Sequence, residues 1–262
     1  MRRWSQQVSY SEPTPSGNSR RVGTPATLTS LTFSAQNGAS STTSIYQFPT
    51  GSLDVSVSGQ TIDRSSYNTS STGAGTAPGG WPTGLGDWCY EGWLYVPSSR
   101  SRLTTGTIGG MDISSGLMIR IGQAYNTGGF NHINILARGA ADCEYINYTW
   151  ANDTWTHWAV QRKSNSVSFW VDGNKIPIQG FTTTSANFYN FGSGTGALTL
   201  GSYAPGTGDE GLAAYLDEVC MSNSWRYDDT QTTYTIPSAP FIVDEYTCLL
   251  MHFDGNLDSA SS

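Results

Sequence analysis

The chain reads as an all-β sandwich, and three observations predict it. Gly, Ser, Thr and aromatic residues dominate a 262-residue chain with 30 Gly, 9 Trp and 14 Tyr but only 13% charged residues. That composition suits short strands joined by turns and suits long helices badly. Short runs with period-two alternation recur along the chain, and no stretch shows the 3.6-residue period of an amphipathic helix. The length falls within the range in which a single β sandwich buries one sizeable core.

The strands follow in order. Residues 1–25 are polar and carry Pro13, Pro15, Gly17 and the pair Arg20-Arg21, so an extended arm or flexible terminus is expected there. Strands are expected at 27–34, 43–48 and 52–58. Residues 64–86 form a Gly/Ser/Pro-rich stretch expected as one long loop, with Trp81 alone in it. DWCYEGWLYV at 87–96 is the strongest strand. Its alternation puts Trp88, Tyr90, Gly92 and Leu94 on one face, and Cys89, Glu91, Trp93 and Tyr95 on the other. Further strands are expected at 116–122, 131–137, 144–149, 155–162, 167–172, 175–179, 196–203, 212–221 and 245–253. WTHWAVQRKSNSVSFWVDG at 155–173 is two strands about a polar turn, closed by Asp172-Gly173, a tight-turn pair. No repeat period is visible, which argues against a propeller or solenoid.

Charge and motifs exclude several functions. A net charge of −7 lacks the basic face that nucleic acid requires. MRRWSQQVSYSEPTPSG has no apolar run behind its arginines, so no secretory signal is expected, and no segment approaches a membrane span. Cys89, Cys143, Cys220 and Cys248 are widely separated, with no CxxC pair, and are expected as free thiols. There is no GxxxxGK[ST] phosphate loop.

Four stretches together carry a resemblance. WTHWAVQR followed by VSFWVDG, DWCYEGWLYV, GALTLGSY and YLDEVCMSNSWRY resemble, in order and spacing, strands of laminin-G-like, concanavalin A-like domains. The resemblance covers roughly residues 40–230. It implies a concanavalin A-like (laminin-G-like) jelly-roll sandwich of two antiparallel sheets, occupying 26–262 as one domain. It also implies that His157 belongs to the architecture. In tandem proteins of this kind, a phrase like LLMHFDGNLDS opens a domain; here it stands at 249–259. Three readings compete: strand 245–253 completes its own sheet, it pairs with a neighbouring subunit, or a second domain begins there. The first is the expectation carried forward.

The chemistry of this fold narrows the function. Its hydrolases carry paired carboxylates on one strand, as Glu-x-Asp-x-x-Glu or a close variant, and that spacing is absent. Asp217-Glu218 are adjacent, so a regular strand sends them to opposite faces. An inward Asp217 would need an arginine or backbone donors. No catalytic residue is expected. The resemblance implies calcium as the candidate cofactor, with Asp153, Asp172, Asp209, Glu210, Asp228 and Asp229 as oxygen donors. Each also sits in ordinary turn sequence, and no metal site is assigned. Sugar binding needs aromatic platforms, and Trp81, Tyr125, Phe130 and Tyr189 are the candidate glycan contacts.

SWRY and HFDG resemble phrases of bacteriophage virion proteins. The leading expectation is therefore a non-enzymatic virion structural protein, made in the host cytoplasm: a capsid decoration, spike or tail-fibre component. It would display a lectin-like module to host-surface glycans, dock on other virion proteins through its arm, and be open to homo-oligomerisation. The alternative is a free carbohydrate-binding lectin or adhesin module of a larger surface protein. A glycoside hydrolase is a distant third.

Overall fold

The computed structural model describes residues 18–26, 34–36, 39–55, 61–68, 86–98, 105–111, 117–122, 132–137, 143–148, 150–164, 166–177, 195–201 and 212–254. In chain order its strands are β1 (Ser34–Gln36), β2 (Ser40–Thr42), β3 (Ser52–Val55), β4 (Thr61–Asn68), β5 (Trp88–Tyr95), β6 (Thr105–Met111), β7 (Leu117–Gly122) and β8 (His132–Ala137). They continue as β9 (Cys143–Asn147), β10 (Trp155–Lys163), β11 (Ser166–Val171), β12 (Asn174–Ile176), β13 (Thr195–Leu200), β14 (Ala214–Ser222) and β15 (Thr247–Met251). Two antiparallel sheets result. A 7-stranded sheet runs β1-β4-β13-β6-β7-β8-β9, and an 8-stranded sheet runs β12-β11-β10-β5-β14-β3-β2. β15 joins the second by pairing with β14 over Val219–Ser222, beyond the Ala214–Leu216 stretch that pairs with β3. The C-terminal strand thus lies in the same sheet as its own chain's central strands.

Alternation decides which residues fill the core. Trp88, Tyr90 and Leu94 of β5, Trp158 and Val160 of β10, Phe169 and Val171 of β11, and Leu216, Val219 and Met221 of β14 form one buried apolar cluster. Tyr90 meets Trp158 edge-to-face at 5.0 Å between centroids, a geometry that aligns ring edge with ring face. β10 and β11 pair from Trp158↔Val171 to Lys163↔Ser166 about the polar turn. Asp172 (φ 43°) and Gly173 (φ 82°) close the next turn, where a left-handed pair matches the twist of the strands.

Three expectations shift. Residues 43–48 are bends rather than a strand, and the pairing falls on Ser40–Thr42 instead. The stretch expected as a loop from 64 begins inside β4, which runs to Asn68 and pairs with β13. β6 (TGTIGGM) was not expected. Its glycines hide any alternation, and its place is set by pairing with β7 and β13.

Much of the outer face of the 8-stranded sheet is also buried. Residues 223–246 cross it, and residues 18–26 lie in extended conformation beside them. Of the segment expected as an arm, this part is therefore docked on the sandwich, and 1–17 lie outside the described residues. Backbone bonds fasten the layer: Tyr234 N donates to Gly173 O at 2.9 Å, Lys175 N to Thr232 O at 2.9 Å, and Thr235 N to Asn18 O at 2.9 Å. Arg226, fully buried, donates to both oxygens of buried Asp244, to Ser222 Oγ at 2.8 Å and to Arg21 O at 2.9 Å. Burial opposes the Asp244 charge, but the Arg226 hydrogen bonds and charge hold its carboxyl well below the usual carboxylate range. Arg226→Met leaves that carboxylate buried without its partner, and the expected cost is about 3–5 kcal/mol. A fall in the urea midpoint checks it, with part of the loss regained in the double variant Arg226→Met, Asp244→Asn.

Candidate functional site

β5, β10 and β14 turn Glu91, His157 and Cys220 to the outer face, opposite the apolar core. Glu91 stands on the central strand with no exposure. Arg20 reaches it from the N-terminal segment at 2.8 Å, and the Tyr227 hydroxyl donates to its other oxygen at 2.7 Å. His157 lies 3.9 Å from that second oxygen, while its Nδ1 shares a short hydrogen bond with the Tyr234 hydroxyl. Aromatic rings close the rest: Trp93 at 5.2 Å, Tyr234 at 5.4 Å and Phe241 at 6.1 Å between centroids from His157. Gln161 accepts from Arg226 N and Tyr227 N and donates to Tyr227 O at 2.6 Å.

This cluster has an acid, an imidazole and two phenols, but it is sealed. A general base must reach a substrate proton, and His157 is fully buried. Burial first, then the Arg20 charge, push its pKa down to about 3, so it stands neutral. Its role is architectural, as the sequence resemblance implies. The thiols behave alike: Cys89, Cys220 and Cys248 are buried, and burial pushes Cys220 up to about 11.

A β-bulge organises the second acidic group. In β14 the register skips between Asp217, opposite Trp93, and Cys220, opposite Glu91. Glu218 takes a positive φ of 51° there. Gly92 lies across from the bulge, where an added Cβ would meet Asp217 O at 3.3 Å and Val219 Cα at 3.4 Å. The regular-strand expectation that Asp217 and Glu218 face opposite sides therefore fails, because the extra residue breaks the alternation. Both hold chain that lies outside the apolar core. Asp217 accepts from Gln47 N, Phe48 N and Glu218 N at 3.0, 3.1 and 2.8 Å. Glu218 accepts from Phe241 N at 2.6 Å and pairs with His252. Burial pushes Asp217 up to about 8, against the three amide donors that pull it down.

The remaining candidates that lie among the described residues do not converge. Trp81, Tyr125, Phe130, Tyr189, Asp209 and Glu210 lie outside the described residues. Asp153 (φ 56°) accepts from Ser98 N at 2.9 Å, and Asp172 from His157 N at 2.8 Å. Asp228 and Asp229 share the Lys163 ammonium at 3.4 and 2.8 Å. These are turn and ion-pair roles, and no group of three or more potential metal-ligating side chains occurs among the described residues. Sequence reasoning missed Arg20, Tyr227, Tyr234 and Asp244 as partners of the strand residues. The polar residues Glu91, His157 and Gln161 on that face read as solvent-facing, so the sequence carried no signal of the covering layer.

No protein-family model matches the chain, and no curated protein matches it in sequence. Among solved structures, the enzymatically active domain of a bacteriophage CBA120 tailspike protein aligns over 92% of this chain and 34% of its own, at 12% identity and a TM-score of 0.53. A provisionally named carbohydrate-binding protein of Bacteroides ovatus aligns over 66% of this chain and 47% of its own, at 18% identity and 0.48. Mouse laminin α1 domains LG4-5 align over 85% of this chain and 49% of theirs, at 8% identity and 0.41. The chain thus spans about a third to a half of those proteins. At such identity the tailspike likeness shows the fold alone, and the other two scores carry no argument. With the two antiparallel sheets and the absence of helix among the described residues, the class is clear: an all-β, concanavalin A-like jelly-roll sandwich.

The His157 environment sets a pH dependence with a definite sign. Between the ordinary value of 6.5 and about 3, the unfolded chain binds a proton that the folded chain does not. Stability from His157 is therefore lost as pH falls through that window, by about 1.4 kcal/mol per pH unit at full slope. Asp217 acts oppositely: its contribution is present below 3.8 and is lost as pH rises towards about 8. Subtracting the unfolding free energies of His157→Gln from those of the wild type cancels Asp217. The difference is expected to move against the wild type as pH drops from 6.5 to 4, and a flat difference refutes the assignment.

Proposed function

We propose that this chain is a non-enzymatic module displayed on a virion, as a decoration, spike or tail-fibre component, and that it attaches to host-surface glycans. The observation that carries the reading is the commitment of the buried carboxylates. Glu91, Glu218 and Asp244 each hold a piece of the chain's own covering layer, and Asp217 holds loop 43–51. A glycosidase needs two carboxyl groups free to flank a sugar bond, and these four are spent on architecture. What such a sandwich offers the outside is recognition by its rims and faces. The tailspike likeness over nearly the whole chain supports the virion setting. Residues 1–17 are the proposed contact with other virion proteins, since 18–26 are engaged with their own sandwich.

The same commitment of carboxylates suits a carbohydrate-binding module of a larger surface protein, and two measurements separate the readings. The purified chain is expected to bind on a glycan array, run with calcium and again with a chelator, and to release no reducing ends. Purified particles are expected to contain it at fixed stoichiometry. Glycan binding with no protein in particles favours the surface-protein module. Absence of binding in both buffers refutes the attachment role.

A further inference from the structure

The covering layer stops short of one end of the 8-stranded sheet. On the outer face, Trp93 is 5% exposed, and His157 and Asp217 are fully buried. Two residues further along each strand, the next row is less deeply buried. It runs Trp155 on β10, Tyr95 on β5, Tyr215 on β14, Asp54 on β3 and Ser40 on β2, each the register partner of the next. Trp155, Tyr95, Asp54 and Ser40 are half-buried, and Tyr215 is 9% exposed.

The three aromatic residues form one continuous strip. Tyr95 lies 5.6 Å from Trp155 at 58° and 5.9 Å from Tyr215 at 75°, between ring centroids. Exposed Asp153 hydrogen-bonds the Tyr95 side chain and accepts from Ser98 N, which ties the strip to the turn before β10. Loop 43–51 borders the inner side by docking Gln47 and Phe48 on Asp217, and it carries Tyr46, 43% exposed.

We propose that this row binds a neutral oligosaccharide lying across the strands. The inference rests on the glycan-attachment reading and gives it a place and a ligand class. The C–H face of a pyranose packs on aromatic rings, while its hydroxyls donate to carboxylates and exchange hydrogen bonds with a serine. The row supplies both, in sequence, over four strand spacings of about 4.8 Å, or about 19 Å in all. That reach fits an extended oligomer better than a single sugar. The charge selects among oligomers. Exposed Asp153 borders the row, and none of the row's five residues is Lys or Arg, so acidic glycans are disfavoured.

Calorimetric titration of the intact chain with cellohexaose, xylohexaose and mannohexaose tests this, with a hyaluronan hexasaccharide as the acidic control. At least one neutral hexasaccharide is expected to bind and the control is not. Trp155→Ala is expected to weaken binding about tenfold or more, the scale of an aromatic anchor. Asp54→Asn should weaken it less, and Trp81→Ala should leave it unchanged. Melting temperatures check the fold; should Trp155→Ala not fold, Asp54→Asn and Tyr95→Phe carry the test. Binding that survives these variants but is lost in Trp81→Ala overturns this site and leaves the attachment reading standing. Binding of the acidic control alone overturns the site. No binding of any hexasaccharide overturns both.

Discussion

Glu91 is a carboxylate at the centre of a sheet that water does not reach, and much of the molecule is arranged to meet it. An ion in that position needs a countercharge and further hydrogen bonds, because a lone buried charge is far too costly to keep. Arg20 and Tyr227 provide them from two segments that are 207 residues apart by their numbers. Each donor has to be delivered by chain that lies on the sheet, so the layer of 18–26 and 223–246 follows from the placement of one side chain. Arg226 repeats the logic a short distance away, with Asp244 as its anion. The layer then buries the aromatic cluster of Trp170, Tyr227 and Tyr234, which adds apolar area to what the ion pairs position.

Much of the fold was legible in the sequence, because alternation is a local signal. The two faces of β5 and β10 follow directly from DWCYEGWLYV and WTHWAVQR, and the Asp172-Gly173 turn follows from its residue types. Elements whose order comes from partners were not legible. β6 is Gly-rich and β4 ends in RSSYN, and neither alternates in hydrophobicity; each is a strand because neighbours on both sides hold it in register. The bulge at Glu218 was hidden too. It needs Gly92 on the facing strand, and no reading of β14 alone reveals that.

The site was less legible than the fold, for a related reason. The loop aromatics singled out from sequence lie outside the described residues. The strip of Trp155, Tyr95 and Tyr215 was hidden because its members lie on three strands far apart in sequence. Only the register brings them side by side. Their partial exposure depends on where the covering layer ends, which is a property of residues 43–51 and 223–246 and not of the strands themselves.

The clasp between the two outer segments has a mechanical meaning. Thr24 O accepts from Glu245 N, Ala26 N donates to Val243 O, and Asp244 accepts from Gly23 N, so residues 23–26 and 243–245 run side by side. Arg21 is wedged between the rings of Trp225 and Tyr246 at 4.8 and 4.4 Å. Tension between residues 23 and 245 is borne by these contacts, which pin the N-terminal segment to the chain that leads into β15.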